Sequence, residues 1–193
     1  MIPRKTTKEL LGESLHELSE SRPLDKITIR EIVENCGMSP ATFYRHFHDK
    51  LDLMAWMYNY QMEDLFLDFC EGSEDWRQTL FDMLKIIEND WSFYRSALKD
   101  TDGQNSFFNA THKRCGELLT AYVSQSDLGA DREEILFDVW FYLRGISLSV
   151  REWCVRNQPR DTETLVDCLY RAMPEKLKPI LMRDELNPKE VGK

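Results

Sequence analysis

Apolar residues recur along this chain at spacings of three and four, which is the period of an α-helix that buries one face. The alternation of apolar and polar positions that is typical of a strand is nearly absent. The eight glycines and seven prolines fall mostly between the periodic segments. This pattern predicts an all-α protein of about nine to ten helices.

The front of the chain is predicted to begin with two helices. The first spans about Thr7–Ser19 and ends before Pro23, which cannot continue a helix. A short second helix follows Thr28, whose hydroxyl is placed to form a capping box with Glu31, three residues later. Gly37 supplies the signal that ends this helix.

A third short helix is predicted over Pro40–Phe47, because Ser39 is a favoured N-cap and proline suits the first helical position. Only the residues Cys-Gly-Met and the Ser39 cap separate it from the second helix. Two short helices joined in this way have the layout of a helix-turn-helix. We therefore expect an N-terminal domain over residues 1–50.

The remaining residues, 51–193, are expected to form a helical ligand-binding and dimerisation domain. A long fourth helix begins near Asp49 and is interrupted at Gly72. The tail, residues 184–193, is expected to be frayed. Further helices are predicted at about 74–89, 91–99, 104–125, 131–157, 162–172 and 174–183.

Charge is distributed unevenly between these two parts. The chain carries 25 Lys and Arg against 34 Asp and Glu, a formal net charge of −9. Residues 1–50 contain eight of each sign, so the whole excess of negative charge lies in residues 51–193. An N-terminal domain without net charge remains able to direct its Lys and Arg side chains at phosphates, while residues 51–193 stay acidic.

The third helix has the chemistry that a recognition helix needs. Its first residues are small, from Ser39 to Thr42, which allows close approach to base edges in the major groove. Tyr44, Arg45 and His46 follow, with hydroxyl, guanidinium and imidazole groups suited to phosphate oxygens and bases. The same residues could instead only cap and pack a small bundle.

The stretch KITIREIVENCGMSPATFYRHFHDKLDLM resembles the DNA-binding domain of the Tet repressor (TetR/AcrR) family of bacterial transcription regulators, over about residues 7–55. The segment TFYRHFHDKLDL is similar to the most specific part of the family signature. The continuation HDKLDL…W…Y is similar to the subgroup that includes the activator of dihydroxyacetone kinase operons. The resemblance implies DNA contacts at ten positions, which are Thr28, Arg30, Ser39, Pro40, Ala41, Thr42, Tyr44, Arg45, His46 and Lys50.

The resemblance also implies separate roles for these residues. The second-helix positions would contact the backbone and a neighbouring base, and the tip of the third helix would read bases. Tyr44 and His46 would contact phosphates, and Lys50 would anchor the fourth helix to the DNA backbone. Arg45 would contact either a guanine or a phosphate.

A helix-turn-helix that reads paired half-sites requires a two-fold axis, so we expect a homodimer on a two-fold symmetric operator in double-stranded DNA. The 131–157 helix is apolar on more than one face. We expect it to pair with its symmetry mate, together with residues 162–183, in a four-helix interface.

Aromatic residues and methionines of the rear helices are candidates for an effector pocket. The eight candidates are Met57, Tyr60, Phe81, Tyr94, Phe107, Phe108, Tyr122 and Trp140. These residues could equally fill a core. We expect a regulator, a repressor by default, released by a small-molecule effector. The alternative is a regulator or activator controlled by a protein coregulator.

Enzymatic function is not expected. The sequence contains no HExxH, GxSxG or glycine-rich phosphate loop, and its cysteines and histidines lack metal-ligand spacing. We therefore predict neither a cofactor nor a metal site. No apolar run is long enough to span a membrane and the first residues lack an apolar secretion signal, so we expect a cytoplasmic protein without a membrane partner.

Overall fold

The computed structural model describes residues 5–99, 107–156 and 161–182. Within these ranges the chain is all-α, as predicted, and contains no strand. The ten helices are α1 (Thr7–Ser21), α2 (Ile29–Asn35), α3 (Pro40–Tyr44), α4 (Lys50–Glu71), α5 (Trp76–Asn89), α6 (Trp91–Lys99), α7 (Phe107–Val123), α8 (Arg132–Val155), α9 (Thr162–Arg171) and α10 (Lys178–Leu181). None of these helices is both long and apolar enough to cross a membrane.

Two predicted helices are shorter by three or more residues in the structure. Helix α3 ends at Tyr44 instead of Phe47, because the chain tightens there to a hydrogen bond from His46 N–H to the Phe43 carbonyl at 2.9 Å. The predicted 174–183 helix is reduced to Lys178–Leu181. Pro179 lies in the first turn of α10, and its ring and missing N–H prevent the helix from starting earlier.

Some predictions fall on residues that are not described. They are the start of the 104–125 helix, the end of the 131–157 helix and the frayed tail at 184–193. Two single 3₁₀ turns, Leu24–Lys26 and Gly129–Asp131, were not predicted from the sequence.

The chain divides into two compact units. The first unit comprises residues 1–61 and 90–111, and the second unit comprises residues 62–89 and 112–193. The functional boundary expected between residues 50 and 51 is a different kind of division and stays a prediction.

In the first unit, α1 packs on α2, and α2 packs on α3. Leu11, Leu15, Ile32 and Phe43 are completely buried among these helices. Gly12 allows α1 to approach α4 closely, since an added Cβ would lie 3.1 Å from Cγ of Met57. This close approach brings α1 against the first half of α4.

The second unit is built around α5 and α9, which pack face to face. Trp76 is buried beside Phe69, with ring centroids 5.2 Å apart, and its indole N–H donates to the Tyr142 hydroxyl at 3.3 Å. That hydroxyl donates in turn to the carbonyl of Leu169 at 2.9 Å, so α5, α8 and α9 share one buried hydrogen-bond chain.

Candidate nucleic-acid interface

The helix-turn-helix is fixed by local capping, as the sequence predicted. Thr28 forms the capping box of α2, with its backbone N–H 2.8 Å from the Glu31 carboxylate. Gly37 lies in the connection between α2 and α3 and has a φ of +69°, a conformation that glycine adopts at little cost. Ser39 then caps α3, accepting a hydrogen bond from the backbone N–H of Thr42 at 3.2 Å. These caps set where each helix begins and therefore which side chains point outward.

The two phenylalanines of the predicted recognition segment face inward. Phe43 is 0% exposed and Phe47 is 3% exposed, and their ring centroids lie 5.8 Å apart. Tyr44, between them in sequence, is 60% exposed. Because α3 has only five residues and would not be stable alone, the burial of these two rings helps to hold it in place.

The structure leaves most of the predicted DNA contacts on the surface. Eight of the ten positions are exposed, and Thr42 and Lys50 are half-buried. The exposed positions are Thr28, Arg30, Ser39, Pro40, Ala41, Tyr44, Arg45 and His46. They lie on α2, α3 and the residues directly adjoining these helices.

Arg30 is occupied by an ion pair that sequence reasoning missed. Its Nε lies 2.7 Å from Oε1 of Glu34, one helical turn later on α2, and both side chains are exposed. The hydrogen bond to Glu34 raises the pKa of Arg30. The i,i+4 spacing of the two residues was a signal that could have revealed the pair.

Arg45 makes only a weak local contact. Its Nη2 lies 3.5 Å from the Thr42 hydroxyl, which is itself 3.0 Å from the Ser39 hydroxyl. No ion pair to Arg45 is found in residues 5–99, 107–156 and 161–182. The guanidinium is thus the least committed basic group at the end of α3.

Comparison with known proteins bears on this geometry. Residues 13–56 match the sequence model of the family described as bacterial regulatory proteins, tetR family. The matched segment contains all of α2 and α3, their caps and the start of α4. Residues 13–56 form a TetR-family domain.

Two solved structures resemble the chain over most of its length. One is the dihydroxyacetone kinase operon activator DhaS, with 17% identity, a TM-score of 0.58 and coverage of 91% of this chain and 98% of that one. The other is a TetR transcriptional regulator from Streptococcus agalactiae 2603V, also 17% identical with a TM-score of 0.58, covering 87% and 94% of the respective chains. At this identity the likeness extends the fold, but not the function, beyond the TetR-family domain.

Within the TetR-family domain, Lys50 does not extend into solvent as a free ammonium. Its Nζ donates to the carbonyl oxygen of Leu24 and, at 2.7 Å, to that of Ile27. Burial lowers the pKa of Lys50, while the nearby carboxylates of Asp25 and Glu31 act in the opposite direction. Lys50 is 26 positions from Leu24 and 23 positions from Ile27 in the sequence, and no sequence pattern predicts contacts over such separations.

Another lysine of the first unit lies over aromatic rings. Nζ of Lys8, on α1, is 5.6 Å from the ring centroid of Phe47 and 5.7 Å from that of Trp56. Trp56 stacks in turn on Tyr60, with centroids 5.3 Å apart. This cation–π arrangement ties α1 to the segment between α3 and α4.

The eight candidate pocket residues are divided between the two compact units. Met57, Tyr60, Tyr94, Phe107 and Phe108 belong to the first unit, and Phe81, Tyr122 and Trp140 belong to the second. Among the former, Tyr94 and Phe107 are brought together, with ring centroids 6.1 Å apart, and both contact Tyr58.

The other candidates have separate surroundings. Tyr122 packs on Phe69, with centroids 4.9 Å apart, and Trp140 lies beside His112. Tyr60 is 48% exposed, and Trp140 is 39% exposed. A pocket built from these residues stays a prediction.

Residues 5–99, 107–156 and 161–182 hold no cluster of three or more His, Cys, Asp or Glu side chains that could bind a metal ion.

Helix α8 carries a second exposed surface, of a different kind. Phe137 is 66% exposed and Phe141 is 67% exposed, and their rings stack with centroids 6.0 Å apart. Leu148 and Val155 continue the same stripe at intervals of seven residues, with 43% and 37% exposure. Gly145 lies within the stripe, with open space where its Cβ would be. We call these five residues the α8 stripe.

Proposed function

We propose that the protein is a homodimeric transcription regulator of the TetR family, whose two α3 helices read the half-sites of a two-fold symmetric DNA operator. The observation that carries the proposal is the outward surface of α2 and α3, where eight of ten predicted contact residues are exposed above the buried rings of Phe43 and Phe47. The TetR-family match covers this same segment.

The chemistry of the surface assigns roles to its residues. Pro40 and Ala41 present only carbon atoms, so they suit van der Waals contact with a thymine methyl group. Arg45 is the group best placed to form a bidentate pair with a guanine, since no carboxylate of the described residues forms an ion pair with it. Tyr44 and His46 supply hydrogen bonds to phosphate oxygens.

Dimerisation is proposed to use the α8 stripe. From Phe137 to Val155 the stripe extends for about 27 Å along the helix, and large apolar side chains in such a row favour contact with another protein surface. Gly145 permits close approach of a second α8 near the middle. The outward side of α9 is charged, with Arg77 bound to Glu163 and Asp167, so support for the interface rests on α8 rather than on residues 162–183.

Control by an effector completes the proposal. We propose that the dimer represses transcription by occupying the operator. A small molecule would relieve this repression by binding more tightly to the dimer when the distance between its two α3 helices does not fit the operator. Helix α4 contributes to both compact units and is the element on which such a ligand would act. The alternative is a repressor or activator controlled by a protein coregulator; one structural neighbour is named as an operon activator.

Selection from a pool of random duplex DNA tests the proposal. The wild type should retain sequences that share a two-fold symmetric motif. A Tyr44→Ala, Arg45→Ala double variant should retain much less DNA and no motif, whereas a Lys113→Ala variant, which removes an exposed base in the second unit, should select the same motif as the wild type. Retention by wild type and double variant alike would contradict the proposal.

A further inference from the structure

The amine of Lys50 joins the start of α4 to the Leu24–Ile27 segment of the first unit. Lys50 is the first residue of α4, and its Nζ donates to the carbonyl oxygens of Leu24 and Ile27. These two carbonyls bracket the Leu24–Lys26 3₁₀ turn and stand immediately before Thr28, the N-cap of α2. The contact therefore closes a loop of chain between the start of α4 and the start of the helix-turn-helix.

Both carbonyls belong to buried residues. Leu24 is 5% exposed and Ile27 is 2% exposed, so a carbonyl in this place gains more from a charged donor than it would in water. Two of the three N–H donors of the ammonium are used in this way. One donor remains for any other partner.

The position of a lysine at the start of α4 also needs an explanation. A positive charge in the first turn of a helix is opposed by the helix dipole. The carbonyls of Leu24 and Ile27 offset that repulsion, since they turn the charge toward the 3₁₀ turn.

The same 3₁₀ turn is contacted from another side. Helix α6 packs against Leu24–Lys26 within the first unit. The turn is thus held between the Lys50 amine and α6, directly before the capping box of Thr28 and Glu31. A shift of the turn would move the start of α2, and with it α3.

We propose that Lys50 is a positioning residue for DNA binding, whose amine fixes the Leu24–Lys26 turn to the start of α4 and so sets the orientation of α2 and α3. The proposal rests on the proposed function. It differs from the role that the family resemblance implies, in which the same amine neutralises a DNA phosphate.

Salt dependence separates the two roles. Loss of a phosphate contact lowers the slope of log Kd against log salt concentration by about one. Loss of a positioning contact weakens binding without removing a counterion-releasing charge from the interface, so the slope stays unchanged. Hydrogen exchange of the α2 amides without DNA reports the positioning role directly.

The experiment compares Lys50→Met with Lys26→Met on the duplex selected by the wild type, between about 50 and 200 mM salt. Methionine keeps an unbranched side chain but donates no hydrogen bond. Lys26 is the matched control, because its side chain is 73% exposed and it contributes no bond to the two carbonyls. We expect Lys50→Met to weaken binding about tenfold at unchanged slope and to speed amide exchange at residues 27–32 about tenfold. Lys26→Met should leave the exchange unchanged.

A slope lower by about one, with unchanged exchange, would overturn the proposal in favour of a phosphate contact. Unchanged affinity and exchange would overturn it as well. If Lys50→Met does not fold, Lys50→Gln decides, since its neutral amide still donates hydrogen bonds. The proposal predicts exchange near that of the wild type and an unchanged slope, whereas a phosphate role predicts a lower slope. If the wild type selects no DNA, the proposed function fails, and the exchange measurement still tests the tie between Lys50 and the turn.

Discussion

Two helices of this protein expose side chains for opposite reasons. Helix α3 has five residues, buries Phe43 completely and exposes a small tip followed by Tyr44, Arg45 and His46. Helix α8 has 24 residues and exposes Phe137 and Phe141. An exposed polar and basic surface is stable in water and suits DNA, whereas an exposed row of large apolar residues favours a protein partner. Under the proposed function, α3 would therefore read DNA and α8 would pair the two chains.

The largest effect is expected from a charge placed in the α8 stripe. Phe141→Glu should convert the dimer to a monomer, because the glutamate would have to be desolvated at the interface. Binding to a symmetric operator should weaken at least about a hundredfold, since the second half-site is no longer tethered. Sedimentation and DNA titration measure the two effects.

Leu67→Glu is the control for this variant. Leu67 is 57% exposed on α4 and lies outside the stripe, so its substitution should leave the mass unchanged. If Leu67→Glu dissociates the dimer and Phe141→Glu does not, the pairing surface has been assigned to the wrong helix.

The next effect distinguishes a residue that stabilises α3 from a residue that is proposed to contact DNA. Phe43→Ala should lower the free energy of unfolding by about 3–5 kcal/mol, because it empties a fully buried site. Tyr44→Ala, at the adjacent exposed position, should change it by less than about 0.5 kcal/mol and yet weaken DNA binding. Urea unfolding and DNA titration of both variants check this. Equal losses of stability would mean that Tyr44 packs instead of reaching DNA.

How much of this comparison was available from the sequence depends on the range of the interactions. The caps at Thr28 and Ser39 and the turn at Gly37 were predictable, since each acts within three residues. The contacts of Lys50 with the Leu24 and Ile27 carbonyls were not, because no pattern links a side chain to a backbone group so far away.

Residues of the rear helices show the same limit. Periodicity identified aromatic residues on the correct helices, but it does not distinguish Tyr94, which is 3% exposed, from Phe141, which is 67% exposed. Which face of a helix is covered depends on the packing of its neighbours. The eight candidate pocket residues were therefore grouped by type, and the structure distributes them over two units.

A smaller effect is expected from Arg45. Arg45→Ala should relax the preference at one base pair of each half-site by about 1–3 kcal/mol if the guanidinium pairs with a guanine. Titration against duplexes that vary that base pair measures the change. A uniform loss on all sequences would reduce Arg45 to a phosphate contact.

The smallest effect concerns acid stability of the segment that carries α3. The Arg22 guanidinium, followed by the hydrogen bonds of Thr28, lowers the pKa of Glu31 from 4.5 to about 2. A carboxylate whose pKa is lowered by folding stabilises the folded state at any pH above its pKa in the unfolded chain. This contribution is therefore complete above pH 4.5 and is lost as pH falls toward 2. Urea midpoints of wild type and Glu31→Gln should therefore converge between pH 5 and pH 2.5. A constant difference over that range would exclude the ion pair and capping box as its cause.

The proposal that DNA reading by α3 depends on dimerisation through α8 is tested most directly by the mass of the protein–DNA complex. The mass is measured with the selected duplex and with a duplex that keeps only one half-site. We expect two chains on the symmetric duplex, and we expect the tight binding to weaken strongly when one half-site is scrambled. One chain on each duplex, bound with equal affinity, would contradict it, because reading by α3 would then not depend on pairing through α8.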